Sequence, residues 1–353
     1  MNFPEKYLVF DVRDLKDFKN ATISGYNKKD VIRSFQNSLI NNKVEDSIKW
    51  NTELHISCYD KDIWKSIYDV YFKYIHFKNP KLFIYLLKRK KEYEDIILYY
   101  PKSHYIFSRN NIEIRNILCE VSCLLSTSRK TNLFIDKSLP KININKISHK
   151  EVKKRIISNG FSEINQFIFD DIPNIIKIGL NEIYHNLKND NGTINNCLYW
   201  YILISKIKND NNHLFTSNEI NNDSVLNYFI KNNNLNDSKH FIYTLWNILD
   251  FFKDNLNKND NILFDKLKYY YFKDFKINQV SNKKNIIFLV FYILKFKINW
   301  NISLIPNQSI YIQSNININN IYLKILNNLY DQLNEFQKDL YLKKYYKTLN
   351  KYL

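Results

Sequence analysis

The sequence predicts a mainly α protein, a multi-helix array of antiparallel helices with room for one short N-terminal strand. Three observations carry this expectation. Apolar residues recur at helical spacing from Lys28 onward, and the first periodic segments are joined by short polar turns. Only four glycines and six prolines punctuate 353 residues. With 45% hydrophobic and 16% aromatic residues the chain can bury a large core, which argues against disorder throughout.

Residues 7–12 (YLVFDV) have strand character, because β-branched and aromatic residues crowd a short run. From Lys28 the period becomes helical: Val31, Ile32, Phe35, Leu39 and Ile40 share a face that ends at Asn41 and Asn42. Val44, Ile48, Leu54 and Cys58 mark a second helix. Ile63, Trp64, Ile67, Tyr71, Tyr74 and Ile75 mark a third. The stretch 79–130 is the centre of the chain. Asn79 and Pro80 start a helix, since proline at the first position lacks an N–H that would be unpaired there anyway. The basic run Lys88, Arg89, Lys90 and Lys91 follows directly. Ser108 to Asn111 reads as a turn with an N-cap, and 112–125 as an apolar helix carrying Cys119 and Cys123.

Residues 127–150, with Pro140, show no clear period and read as a linker, which divides the chain into helical domains at 1–126 and 151–353. In the second, helices are expected at 201–207, 225–230, 241–252, 262–272 and 286–296, separated by Asn/Asp-rich connectors such as 208–212 and 231–237. The run 308–320 (QSIYIQSNININN) reads as a connector with some strand character, and 321–353 as one closing helix with a basic, tyrosine-rich tail.

Lys, Asn, Ile, Tyr and Phe dominate, while Ala21 is the single alanine. These favoured residues are written by AT-rich codons, so part of the +17 net charge is explained as lysine drift. Residues whose codons need G or C then carry more information, and they gather between Trp50 and Trp200. The remaining charge still points to an anionic partner, either nucleic acid or an acidic protein surface. The candidate phosphate contacts are Lys88, Arg89, Lys90 and Lys91, with Arg109, Arg115, Arg129, Lys130, Lys153, Lys154 and Arg155. Tyr85, Tyr93, Tyr99 and Tyr105 are candidate stacking platforms.

No Gly-rich phosphate loop, nucleophile elbow or zinc ligand set is present, so no cofactor or metal is expected and the chain reads as non-enzymatic. Cys119 and Cys123 share a helical face, but a zinc site needs about four ligands. Buried thiols are the simpler reading. Asp170 and Asp171 read as a helix cap, and Glu182 with His185 lacks the second histidine of a zinc protease. Four scattered cysteines and the absence of a recognisable signal peptide suggest a reducing intracellular compartment, and the longest apolar run is too short for membrane insertion.

Two helical hairpins look alike: Ser38-Leu39 with Ser47-Ile48-Lys49-Trp50, and Asn186-Leu187 with Cys197-Leu198-Tyr199-Trp200. The second, with its LYW near a helix start, resembles the collar helices of AAA+ clamp-loader-type proteins over some twenty residues. NPKLFIYL, RNNIEIR and CLLSTSRK resemble an uncharacterised helical family of large DNA viruses. That likeness implies an AT-rich viral setting, with a viral factory or virion as location, and supplies no mechanism. The expected function is therefore a non-catalytic helical protein that binds nucleic acid or works in a replication or transcription assembly. The alternatives are a scaffold protein of a virion or large complex and, less favoured, a metal-dependent nuclease.

Overall fold

In the computed structural model, the described residues are 7–100, 104–131, 142, 149–158, 160, 164–167, 174–206, 239–273, 283–331 and 333–351. The protein is mainly helical, and no strand occurs among the described residues. The helices are α1 (Lys28–Ile40), α2 (Val44–Ile56), α3 (Asp60–Val70), α4 (Pro80–Leu98), α5 (His104–Ser108), α6 (Ile112–Thr127), α7 (His149–Lys153), α8 (Asn174–Lys188) and α9 (Ile194–Lys206). They continue with α10 (Lys239–Lys253), α11 (Lys258–Phe272), α12 (Lys284–Lys295), α13 (Gln308–Tyr330) and α14 (Glu335–Leu349).

The chain divides into two compact units, one of residues 1–132 with 299–353 and one of residues 133–298. The units part near 132 and again near 298, so residues 299–353, expected in the second helical domain, belong to the first unit, where α13 packs on α6 and α2. Long-range apolar burial, which sequence period does not encode, decides that return.

In the first unit α6 is the hub and touches α1, α2, α3, α4 and α13. Its side chains are buried nearly all round, from Ile114 and Ile117 through Val121 to Leu125, with only Glu113 exposed. Asn79 and Asn111 cap α4 and α6 by accepting from the N–H of Leu82 (3.2 Å) and Ile114 (3.0 Å). The predicted third helix ends at Val70 and passes into a π turn, Tyr71–Ile75, before His76 at φ 32°.

Residues 7–12 do not form the predicted strand. Their main-chain groups are met by side chains, with the Val9 N–H donating to Asn110 Oδ1 (2.8 Å) and the Val9 carbonyl accepting from Asn110 Nδ2 (3.1 Å). Buried backbone groups need partners, and here no neighbouring strand supplies them. Residues 308–320 are likewise neither connector nor strand but the first half of α13, and the expected single closing helix is two, α13 ending at Tyr330 and α14 starting at Glu335. Burial of Ile318, Tyr322, Ile325 and Leu326 outweighs the poor helix propensity of its asparagines. Asn334 then caps α14 in a reciprocal capping box with Gln337.

In the second unit α8 and α9 form a tight hairpin, with α10 and α12 packed on α8, α12 also on α9, and α11 against α10 and α12. Gly179 permits the closeness, since a Cβ there would lie 2.4 Å from Ile204 Cγ2. Trp200 is fully buried, whereas Trp50 is half-buried beneath Lys49 and beside Tyr26, so the two similar hairpins use their tryptophans differently. The expected helix at 225–230, the Asp170–Asp171 pair, the connectors at 208–212 and 231–237, Pro101 and Pro140 lie outside the described residues.

Candidate nucleic-acid interface

The basic run lies at the middle of α4, and its four cations have different fates. Lys88 (side chain 70% exposed) and Lys91 face solvent. Arg89 lies against α6, bonded to Glu92 and, at 2.5 Å, to Glu120. Burial lowers its proton affinity, but Glu120 and Glu92 raise it further, so the guanidinium stays charged and spent. Lys90 reaches Glu94 at 3.7 Å and lies over the rings of Tyr68 and Trp64. Between α4 and α6 there is a cleft of about 380 Å³ whose charged lining is Arg89, Glu92, Asp95 and Glu113. Three carboxylates against one arginine repel phosphate, so this cleft beside the basic run is the wrong sign for an anion.

Arg109 and Arg115, both 0% exposed, are corrected from candidate phosphate contacts to internal ties. Arg109 donates to the Asp11 carbonyl (2.7 Å) and the Arg13 carbonyl (2.5 Å), and its Nη2 also meets Cys58 Sγ. Arg115 donates to the carbonyls of Arg109 (2.8 Å) and Tyr7 (3.0 Å) and to Asn319 Oδ1 (3.2 Å), with Tyr322 stacked 3.9 Å from its guanidinium. Burial pulls Arg115 down to about 10, still well above neutral pH. These two side chains bind main chain where a strand partner would otherwise be required.

Arg129 is exposed after the end of α6. Lys130 folds back onto that end, donating to the carbonyls of Leu125 and Ser126 and to Asn42 Oδ1 (2.7, 2.7 and 2.8 Å). Burial pulls its ammonium down to about 7. Lys130 is thus a helix cap more than a surface cation. In the second unit Lys153, Lys154 and Arg155 are exposed, and Arg155 stacks 4.2 Å from the ring of Tyr199. The segment just beyond them is fixed by buried Glu182, which accepts from the N–H groups of Ile157 (3.1 Å) and Ser158 (3.0 Å). Glu182 is a structural acceptor for a loop, not part of a zinc motif.

Of the candidate stacking tyrosines, only Tyr99 is open, at 88% exposure. Tyr93 is buried against Trp64, and burial followed by Asp60 raises its pKa well above the usual value. Tyr85 donates to Glu120, and Tyr105 is half-buried. The four cysteines are free and buried, and burial pushes Cys58 and Cys197 up to about 12. No group of three or more His, Cys, Asp or Glu side chains placed to hold a metal occurs among the described residues. No helix there is long and apolar enough to cross a membrane.

The sequence reading left one cationic surface unassigned. α14 exposes Lys343, Lys344 and Lys347, with Lys351 just past its end. The signal was present as lysines spaced three and four apart in the basic, tyrosine-rich tail.

Comparison of the chain with protein-family models, with curated proteins and with solved structures finds no match.

Proposed function

We propose that the protein is a non-catalytic helical binder of nucleic acid, working alone or within a replication or transcription assembly. The observation that carries this reading is the net positive charge together with the cations that stay exposed to solvent. The chain has a formal charge of +17, and Lys88, Lys91, Arg129, Lys153, Lys154 and Arg155 are exposed while Arg89, Arg109, Arg115 and Lys130 are absorbed by the fold. Exposed, mobile lysines neutralise phosphates and release counterions, which needs no built pocket. Fluorescence anisotropy of labelled single- and double-stranded DNA and RNA across a salt series tests it. Affinity should fall steeply from about 50 to 200 mM salt. No binding near physiological salt would refute it.

A scaffold role is the second reading, supported by the exposed apolar end of α4, where Leu98 and Tyr99 project into solvent. That role predicts a protein complex whose stability is insensitive to salt and is lost on Leu98→Ser with Tyr99→Ser.

A further inference from the structure

The C-terminal helix packs through one face only. Tyr345 is its buried side chain, and Leu342 and Leu349 lie beside it against Leu8, Phe10 and Ile106. At about 100° per residue, the opposite face carries Phe336, Leu340, Lys343 and Lys347, with Lys344 and Lys351 along one edge. All six are exposed. Lys343 is paired with Asp339 at 2.6 Å. No carboxylate among the described residues pairs with Lys344, Lys347 or Lys351. The helix dipole accounts for a cation in the last turn, but not for the convergence of several lysines on the side away from the core.

The chemistry of this face selects its partner. An anionic membrane surface wants an unbroken apolar stripe flanked by lysines, and Lys347 sits in the middle of this one. From Lys344 to Lys351, just past the helix end, the lysines reach over roughly 10 Å at about 1.5 Å per residue, about the length of four successive phosphates at about 3.4 Å per nucleotide. Two turns before them Phe336 presents a flat ring, 75% exposed, of the kind on which an unpaired base stacks. By contrast, the α4 run is laced with Glu92 and Glu94 and lies beside an acidic cleft. We propose that the outward face of α14 is a contact surface for single-stranded nucleic acid, with Lys344, Lys347 and Lys351 on the phosphodiester backbone and Phe336 against a base. This rests on the nucleic-acid reading above and gives it a location.

The test is anisotropy of a labelled oligothymidylate of about 20 nucleotides with the full chain over a salt series. Replacing Lys344, Lys347 and Lys351 together by Gln should cut the slope of log affinity against log salt by about 2, since each single-strand phosphate contributes about 0.7. Phe336→Ala should weaken binding about fivefold or more without changing that slope. Lys88→Gln with Lys91→Gln should change both less than the α14 triple does. Wild-type binding that the α14 triple leaves unchanged in affinity and slope overturns the assignment to α14 and leaves the nucleic-acid reading standing. Absence of wild-type binding overturns both. The three lysines replaced by Arg must bind as wild type does, which separates lost charge from lost folding. Lysine-dependent binding to vesicles containing phosphatidylserine, with none to the oligonucleotide, would overturn the proposal in favour of a membrane surface.

Discussion

Asn110→Ala is the sharpest test of how the first unit is held together. The Asn110 amide accepts from the Val9 N–H (2.8 Å) and from Arg115 (3.3 Å). It donates toward the carbonyls of Val9 (3.1 Å) and Ile106 (3.2 Å) and toward the Tyr345 hydroxyl (3.2 Å). One side chain thus ties the N-terminal segment to the start of α6 and to α14. Val9 is fully buried, so alanine leaves its N–H and carbonyl with no water to turn to. Two orphaned groups at about 1 to 3 kcal/mol each, offset by some relaxation, give an expected loss of about 3 kcal/mol. For a unit of this size that lowers the thermal midpoint by roughly 6 to 12 °C. Urea unfolding followed by circular dichroism reads the loss, and hydrogen exchange at Val9 reads its cause. A loss under about 0.5 kcal/mol with the Val9 amide still protected would show that the segment is held some other way.

Three further outcomes follow from the same packing. His76 is buried, and burial, aided by Lys78, lowers its pKa from about 6.5 to about 3. Between those values the unfolded chain binds a proton that the folded chain does not, so stability is lost as pH falls below about 6.5. The wild type should lose about 2 kcal/mol more than His76→Asn between roughly pH 6.5 and pH 5, and equal slopes in urea titrations would contradict this. Gly192→Ala places a Cβ 2.1 Å from the Asn186 carbonyl oxygen, where the main chain cannot give, whereas Gly179→Ala meets the movable Ile204 side chain. Ile204→Leu should therefore rescue Gly179→Ala and leave Gly192→Ala unrescued, as read by a double-mutant cycle of thermal midpoints. The four buried thiols should react slowly with a thiol reagent near pH 8 and fully in denaturant; one fast equivalent in the native protein would contradict their burial.

Much of the helical framework was legible because its apolar period is local. α1, α4, α6, α11 and α12 follow from spacing, asparagine caps and Pro80. α13 was hidden because its first half alternates Ile with Asn, a pattern that imitates a strand until the packing surface of α6 is known. The site was less legible. Arg109 and Arg115, expected at phosphates, are instead buried and tied to main-chain carbonyls. A hint lay in the apolar neighbours of Arg115, since Ile114, Ile117 and Leu118 leave it little solvated face. Pairing partners such as Glu120, thirty-one residues from Arg89, cannot be read from spacing at all.

On the proposed reading, exposed cations rather than the buried arginines meet nucleic acid. Ultraviolet crosslinking of the full chain to a photoreactive single-stranded oligonucleotide, with mass spectrometry of the adducts, tests it most directly. The predicted adducts lie on peptides holding Lys88 and Lys91, Arg129, the 153–155 cluster and above all α14, with none on Arg109 or Arg115. Adducts on those two arginines, or none anywhere at physiological salt, would contradict it.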